Sequence, residues 1–425
     1  MKKIVLSILL AVIAVSMVCA AGATEKVQSG PVKIVYWRSL TGKAAEVQDQ
    51  LVADFNASQD KVVVEAQFQG SYTEIMQKLM AALAAGEMPD VVQLDSPYVL
   101  LLAKDGVLAD MDKLIAKDKS GFSLEDFIPG LMADGYYDGK LVALPVMRST
   151  PLLYVNGDML AEAGLPRRAP QSWDELREFS QKLTKFNAQG EAVQQGVGFT
   201  VSQGTAHWYF QGAVYSYGGR ISDEDFNFYM TEQPVIDVAT LWQDMVFKDK
   251  SAIPSTSHDD FFNKKVAMVF GSTGSMGNLL SRADFQVIPA FMPAGTKKSA
   301  PVGGSVLGIS STDTRRQEAA WEFVKFMASP KANSLIVRET GYMPTSIPAV
   351  EYPDTVEYFK ANPERKVAID NLEFTQAQAS AISLGKGTEI FRQMVEKLLV
   401  VGQDPRSVMV ETNAELVKEY NESFK

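Results

Sequence analysis

One cysteine, Cys19, and two histidines, His207 and His258, stand in 425 residues. That scarcity excludes disulfide frameworks and iron–sulfur clusters, and it removes most zinc sites and catalytic schemes that draw on several such groups. Positive charge is also in deficit. Lys and Arg total 41 against 51 Asp and Glu, a net charge of -10, so neither nucleic acid nor an anionic lipid surface is expected as the main partner, and any bound anion needs a local site. No G-x-S-x-G elbow surrounds Ser272, Ser275 or Ser305, no phosphate-binding G-x-x-x-x-G-K-[ST] loop occurs, and the two histidines are too far apart for H-E-x-x-H. Metal and nucleotide hydrolases are poor matches. A carboxylate-based secreted hydrolase stays open, because 51 acidic residues always offer some pair at a workable separation after folding.

What is present is the balance of a soluble globular chain, 46% hydrophobic and 22% charged, at a length that suits two or three domains. Lys2 and Lys3 precede an uncharged apolar run over residues 4–18, followed by Ala20, Ala21, Gly22 and Ala23. This is the pattern of a secretory signal, with cleavage expected after Ala23. The mature chain would then lack any thiol, which suits an oxidising compartment. The competing reading makes Cys19 a lipidated anchor. No second apolar stretch of about twenty residues follows, so no membrane span is expected after processing.

Residues 32–37 read as a buried strand, 44–55 as a helix, 62–68 as a second strand, 75–85 as a helix opened by the capping box Ser71-x-x-Glu74 and stopped by Gly86, and 90–94 as a third strand. Strands alternating with helices in this way indicate parallel β-α-β units and an α/β first lobe. The extended run 141–155 contains Pro145 and Pro151, which suits a chain passing between lobes better than an uninterrupted central strand. Further helices are expected at the Ser172-x-x-Glu175 box, at 235–247, 259–264 and 315–327, and strands at 266–270 and 302–310.

Several residues could carry chemistry. The turn from Gly271 to Gly277, with Ser272 near its start, could receive a phosphate or sugar oxygen on its hydroxyls and N–H groups, or could be ordinary capping. Tyr72 falls in the first turn of a helix at the carboxyl edge of a parallel sheet, where open α/β sheets bind ligands. Arg392 offers a planar fork for a phosphate or a pair of hydroxyls, or a solvated helix face. Trp208 lies in a polar, poorly periodic stretch and could cover the apolar side of a polyol.

Together the motifs form a recognisable order: Tyr36 to Ser39 as Y-W-x-S, Phe55-Asn56, P-D-V-V at 89–92, S-T-P-L-L-Y-x-N at 149–156, A-G-L-P at 163–166, S-W-D-E-L at 172–176, Ala267-Met268, Gly303-Gly304, W-E-F-V-K-F at 321–326 and T-G-Y-x-P at 340–344. This order resembles the extracellular solute-binding proteins of carbohydrate-type ABC importers, over essentially the whole mature chain. The resemblance implies a two-lobe, type II-like α/β binding fold related to maltose-binding protein. It also implies a hinged interlobe cleft, no catalysis, no cofactor, no metal, a monomer, a periplasmic location and a membrane permease as partner. It places the lobes at residues 24–147 with 303–343 and at 148–302 with 344–425, joined by crossings at 147–150, 302–305 and 342–345. The branch that binds glycerol phosphates fits best, so sn-glycerol 3-phosphate or a glycerophosphodiester is the expected ligand, with a sugar or oligosaccharide as the alternative. The implied contacts are Tyr72, Ser149, Ser272, Gly304 and Arg392. Where that branch carries a glutamate, this chain has Ser96, preceded by Asp95, either of which could meet the polyol end. Arg148 is a further anion partner that the resemblance does not supply.

Overall fold

The computed structural model describes residues 30–202 and 204–424; the expected leader and Cys19 lie outside the described residues. Strand β1 (Val32–Arg38), helix α1 (Gly42–Ser58), strand β2 (Val62–Phe68), helix α2 (Tyr72–Ala85) and strand β3 (Val91–Asp95) follow one another. β1 pairs in parallel with β2 and with β3, so both helices are crossovers of β-α-β units. The capping box is complete: Ser71 Oγ accepts from the Glu74 N–H, and Glu74 accepts from the Ser71 N–H at 2.7 Å. Two later strands run antiparallel to this core. β10 (Gly303–Ile309) pairs with β3 and with β4 (Ala143–Ser149), giving the order β2-β1-β3-β10-β4. Pro145 therefore sits on an edge strand, where a missing donor is tolerated.

One residue, Thr150, separates β4 from β5 (Pro151–Asn156), which belongs to a second sheet. With β6 (Ala192–Thr200), β7 (Ala252–Ser255), β8 (Val266–Ser272) and β9 (Val287–Phe291) it forms the order β7-β6-β8-β5-β9. β7, β6 and β8 are mutually parallel, and β5 is antiparallel to β8 and β9. Pro151 opens β5, and its missing N–H costs least at the first residue of a strand.

Each sheet has its own core. α1, α8 (Thr314–Met327) and α9 (Pro330–Thr340) bury Ile34, Tyr36, Phe55, Trp321 and Phe323 on one face of the first sheet. On its other face, α2 and α3 (Tyr98–Lys104) bury Ile75, Leu79, Leu94 and Val306. The second core gathers Trp173, Phe199, Trp242 and Phe270, with Phe199 and Trp242 stacked at 4.4 Å. Its helices include α4 (Trp173–Leu183), α5 (Ala206–Ser216), α6 (Gln233–Phe247), α7 (Met276–Arg282), α10 (Gly387–Glu396) and α11 (Pro405–Phe424). The stretch around Trp208, which lacks periodicity in the sequence, is helix α5. It is buried on every side, so no polar face marks it. The short helices Ile347–Val350 and Pro353–Ala361 pack on α9, where Thr355 Oγ1 donates to Ser334 Oγ at 2.8 Å.

Candidate functional site

The three segments expected as crossings lie side by side, with Gly304 opposite Arg148 and Arg148 opposite Met343, but the third does not leave the first lobe, since residues 347–361 still pack on α9. Gly304 adopts φ +81, and a Cβ there would lie 2.1 Å from the Met147 carbonyl oxygen, so only glycine lets the two strands approach. Below them Gln93, buried in β3, accepts from the Ser39 N–H at 2.9 Å and donates to Ser305 Oγ at 2.7 Å, which ties the end of β1 to β3 and β10. This network presents the carboxyl edge of the first sheet: Asp95 and Ser96 at the end of β3, and Tyr72 in the first turn of α2.

Electrostatics and satisfaction single out this edge. Loss of hydration pushes the Asp95 carboxyl up to about 7, with Asp134 adding to the rise, against the lowering effects of the Arg148 guanidinium, the Ser96 N–H and the Gln378 amide. Burial raises the Tyr72 and Tyr342 phenols, and both also feel Asp95. Arg148 is fully buried and paired with Asp134, yet its Nε and Nη1 have no protein partner. Ser96 Oγ and Trp208 Nε1 are likewise buried and unpartnered, and so is Tyr72 Oη apart from an interaction with the Ser305 hydroxyl. Buried polar groups are normally paired, and although unpaired ones such as Asn156, Ser180 and Trp242 also occur elsewhere, those beside Asp95 are the ones that share a site with a buried carboxylate.

Residues of the second sheet close on this edge. Ser272 ends β8, and its Oγ accepts from the Gly274 N–H at 3.1 Å. A Cβ on Gly274 would stand 2.9 Å from Cζ of Tyr342, so the two surfaces meet here with no spare room. Trp208 covers Gly303, where an added Cβ would fall 2.6 Å from the indole. Ser149 is buried at the end of β4, opposite Gly303. Gln378 links Asp95 to α5: it accepts from Gln211 Nε2 at 3.3 Å, and its side chain also acts on His207, whose pKa burial depresses to about 4. α3 packs directly against residues Ser380–Ser383.

Of the residues singled out in the sequence, Tyr72, Asp95, Ser96, Ser149 and Gly304 are brought together, with Trp208 against the neighbouring Gly303 and Ser272 joined through Gly274 and Tyr342. Asp95, not Ser96, supplies the carboxylate. The ion-pair partners of Arg392 lie on its own helix. Its guanidinium bonds Glu389 at 2.7 and 2.8 Å and pairs with Glu396, all on α10, which raises its pKa. Sequence reasoning missed Tyr342, Gln378 and Asp134 as members of the site. Tyr342 had a signal in the T-G-Y-x-P motif, since Gly341 at φ +90 turns the chain there; Gln378 and Asp134 had none.

Two sheets with separate cores, joined by adjacent crossings and facing each other across unpaired polar groups, define a two-lobe binding protein. Residues 50–367 match the model of the bacterial extracellular solute-binding proteins, and the chain belongs to that family. It is the solute-binding component of an ABC importer. The sn-glycerol-3-phosphate-binding periplasmic protein UgpB of Agrobacterium fabrum is 22% identical over 398 residues, 89% of this chain and 90% of that one. UgpB of Salmonella typhimurium is 25% identical over 351 residues, 79% of each chain. Among solved structures, UgpB from Mycobacterium tuberculosis in complex with glycerophosphocholine superposes with a TM-score of 0.84 at 28% identity, over 93% of this chain and 100% of that one. The sugar-binding protein MalE of Xanthomonas citri superposes with a TM-score of 0.77 at 20% identity, over 92% and 98%, a likeness of fold.

Proposed function

We propose that this chain captures a phosphate ester of glycerol, sn-glycerol 3-phosphate or a glycerophosphodiester, in the cleft between its lobes and hands it unchanged to permease subunits in the membrane. The observation that carries this reading is the set of buried donors on Tyr72, Ser96 and Arg148 gathered around one carboxylate, Asp95, with Trp208 against the neighbouring Gly303. A glycerol phosphate ester offers the matching chemistry, with anionic oxygens to accept from the donors and hydroxyls to donate to Asp95. The names of the relatives, and the glycerophosphocholine held by the structure of highest similarity reported above, support the same ligand class. Ser149, Ser272 and Gly304 would frame the ester. Arg392 would join it by exchanging Glu389 for the phosphate on closure.

The lobes would be residues 24–147 with 303–343, and 148–302 with the C-terminal part. The packing of residues 347–361 on α9 supports carrying the first lobe on to 361. The protein would act as a monomer after secretion across the inner membrane, periplasmic or anchored through Cys19, and would release its ligand without turnover.

A thermal-shift panel tests the reading. Glycerol 3-phosphate and glycerophosphodiesters should raise the melting temperature, Arg392→Ala should remove most of that rise, and mass spectrometry should recover the ligand intact. Stabilisation by neutral oligosaccharides and by no phosphate ester would replace it with sugar binding.

A further inference from the structure

The carboxyl ends of β6, β7 and β8 open into a cavity of about 370 Å³ that begins at Ser272 and extends past Thr200 and Ser255, the last residues of the other two strands. Parallel strands in open α/β sheets present ligands at this end, and the volume suits a small organic group. Ser and Thr are the commonest of its described lining residues, beside the apolar surface of Tyr209, Val269 and Phe270, and no Asp, Glu, Lys or Arg is among the described lining residues. Burial lowers the pKa of its one imidazole, His258, whose Nε2 lies 3.2 Å from the Phe270 carbonyl oxygen.

The hydroxyls are not idle spares of the fold. Ser272 Oγ accepts from the Gly274 N–H and Ser257 Oγ accepts from the Asp259 N–H at 3.1 Å, so each keeps its own proton to donate. Thr200 and Thr205 bring their hydroxyls within 3.5 Å of each other at the rim. Ser255, by contrast, is spent on Asp260 and the Ser257 carbonyl, both at 2.8 Å, which fixes the wall. Such a lining can match a polyol's alternating donors and acceptors. A quaternary ammonium would meet no carboxylate among the described lining residues, only the Tyr209 and Phe270 rings, with Asp260 behind Ser255.

We infer that this cavity receives an uncharged polyhydroxylated group esterified to the ligand's phosphate, so that the chain prefers glycerophosphodiesters of polyols over those of choline. The inference rests on the phosphate-ester reading above. Titration calorimetry on the mature chain with glycerol 3-phosphate, glycerophosphoinositol and glycerophosphocholine tests it. Two or three extra hydroxyl contacts should make the inositol diester bind roughly tenfold tighter than the choline diester. Ser275→Leu, which fills the cavity, should erase that preference and leave glycerol 3-phosphate binding unchanged. Thr205→Val, which removes one hydroxyl at constant shape, should weaken the inositol diester alone. Equal affinities for the two diesters, or a preference that survives Ser275→Leu, would overturn the inference while the phosphate-ester reading stands. Failure of all three esters to bind would overturn both.

Discussion

Asp95 and His207 are two buried titratable groups whose shifts oppose each other. Burial raises the Asp95 carboxyl from 3.8 to about 7, so across that window the folded chain holds a proton that the unfolded chain has lost. Its contribution therefore weakens stability as pH rises from about 4 to 7, by at most about 1.4 kcal/mol per pH unit. His207, depressed from 6.5 to about 4, does the reverse: the unfolded chain holds the extra proton, and stability grows with pH over that range. The ligand-free protein should thus respond weakly to pH between about 4.5 and 6.5. Asp95→Asn should stabilise it by an amount that is small near pH 4 and reaches its full size above pH 7. Urea unfolding of both proteins at several pH values measures this, and a pH-independent difference would refute it. The same variant should bind glycerol phosphates more weakly, because an amide replaces the acceptor for their hydroxyls.

Among elements, α2 brings the candidate contact Tyr72 to the site. Its capping box fixes the first turn, and that turn aims Tyr72 at Asp95. Ser71→Ala should cost about 1 kcal/mol of stability, the usual worth of such a cap, and should also weaken ligand binding severalfold. Ser172 caps α4 in the same way, accepting from the Glu175 N–H at 3.1 Å, but α4 serves only the core of the second lobe. Ser172→Ala should therefore match the stability loss and leave affinity unchanged; equal binding losses in the two variants would show that the cap acts only through global stability. Elements of this kind were legible in the chain because their signals are local. The box, the apolar run of β3 and the stop at Gly86 lie within a few residues of what they control. α5 was not legible, since burial on every face erases the periodicity that marks a surface helix.

At the scale of the whole molecule, the proposed capture between lobes would depend on how closely they meet. Gly274 lies against the Tyr342 ring with no room for a side chain, so Gly274→Val should hold the lobes apart. We expect at least a tenfold loss of affinity, since binding would have to pay for closure against a clash. Small-angle scattering should lose the compaction that ligand gives the parent protein, with little change in the melting temperature of the free chain. Undiminished compaction and affinity would mean that the contact is incidental to closure.

The chain by itself determined the α/β class, the parallel β-α-β start, the passage from the first sheet to the second near Thr150 and the family, because hydrophobic period, caps, prolines and motif order are written in neighbouring residues. Which cation stands beside Asp95 was decided only by the tertiary structure: Arg148 is bent inward by its pair with Asp134, while Arg392 is held by Glu389 and Glu396 on its own helix. The same holds for Tyr342 and Gln378, which reach the site from distant parts of the chain. Charge pairing and burial depend on distances through space, and those distances exist only once the two sheets have packed and the lobes have met.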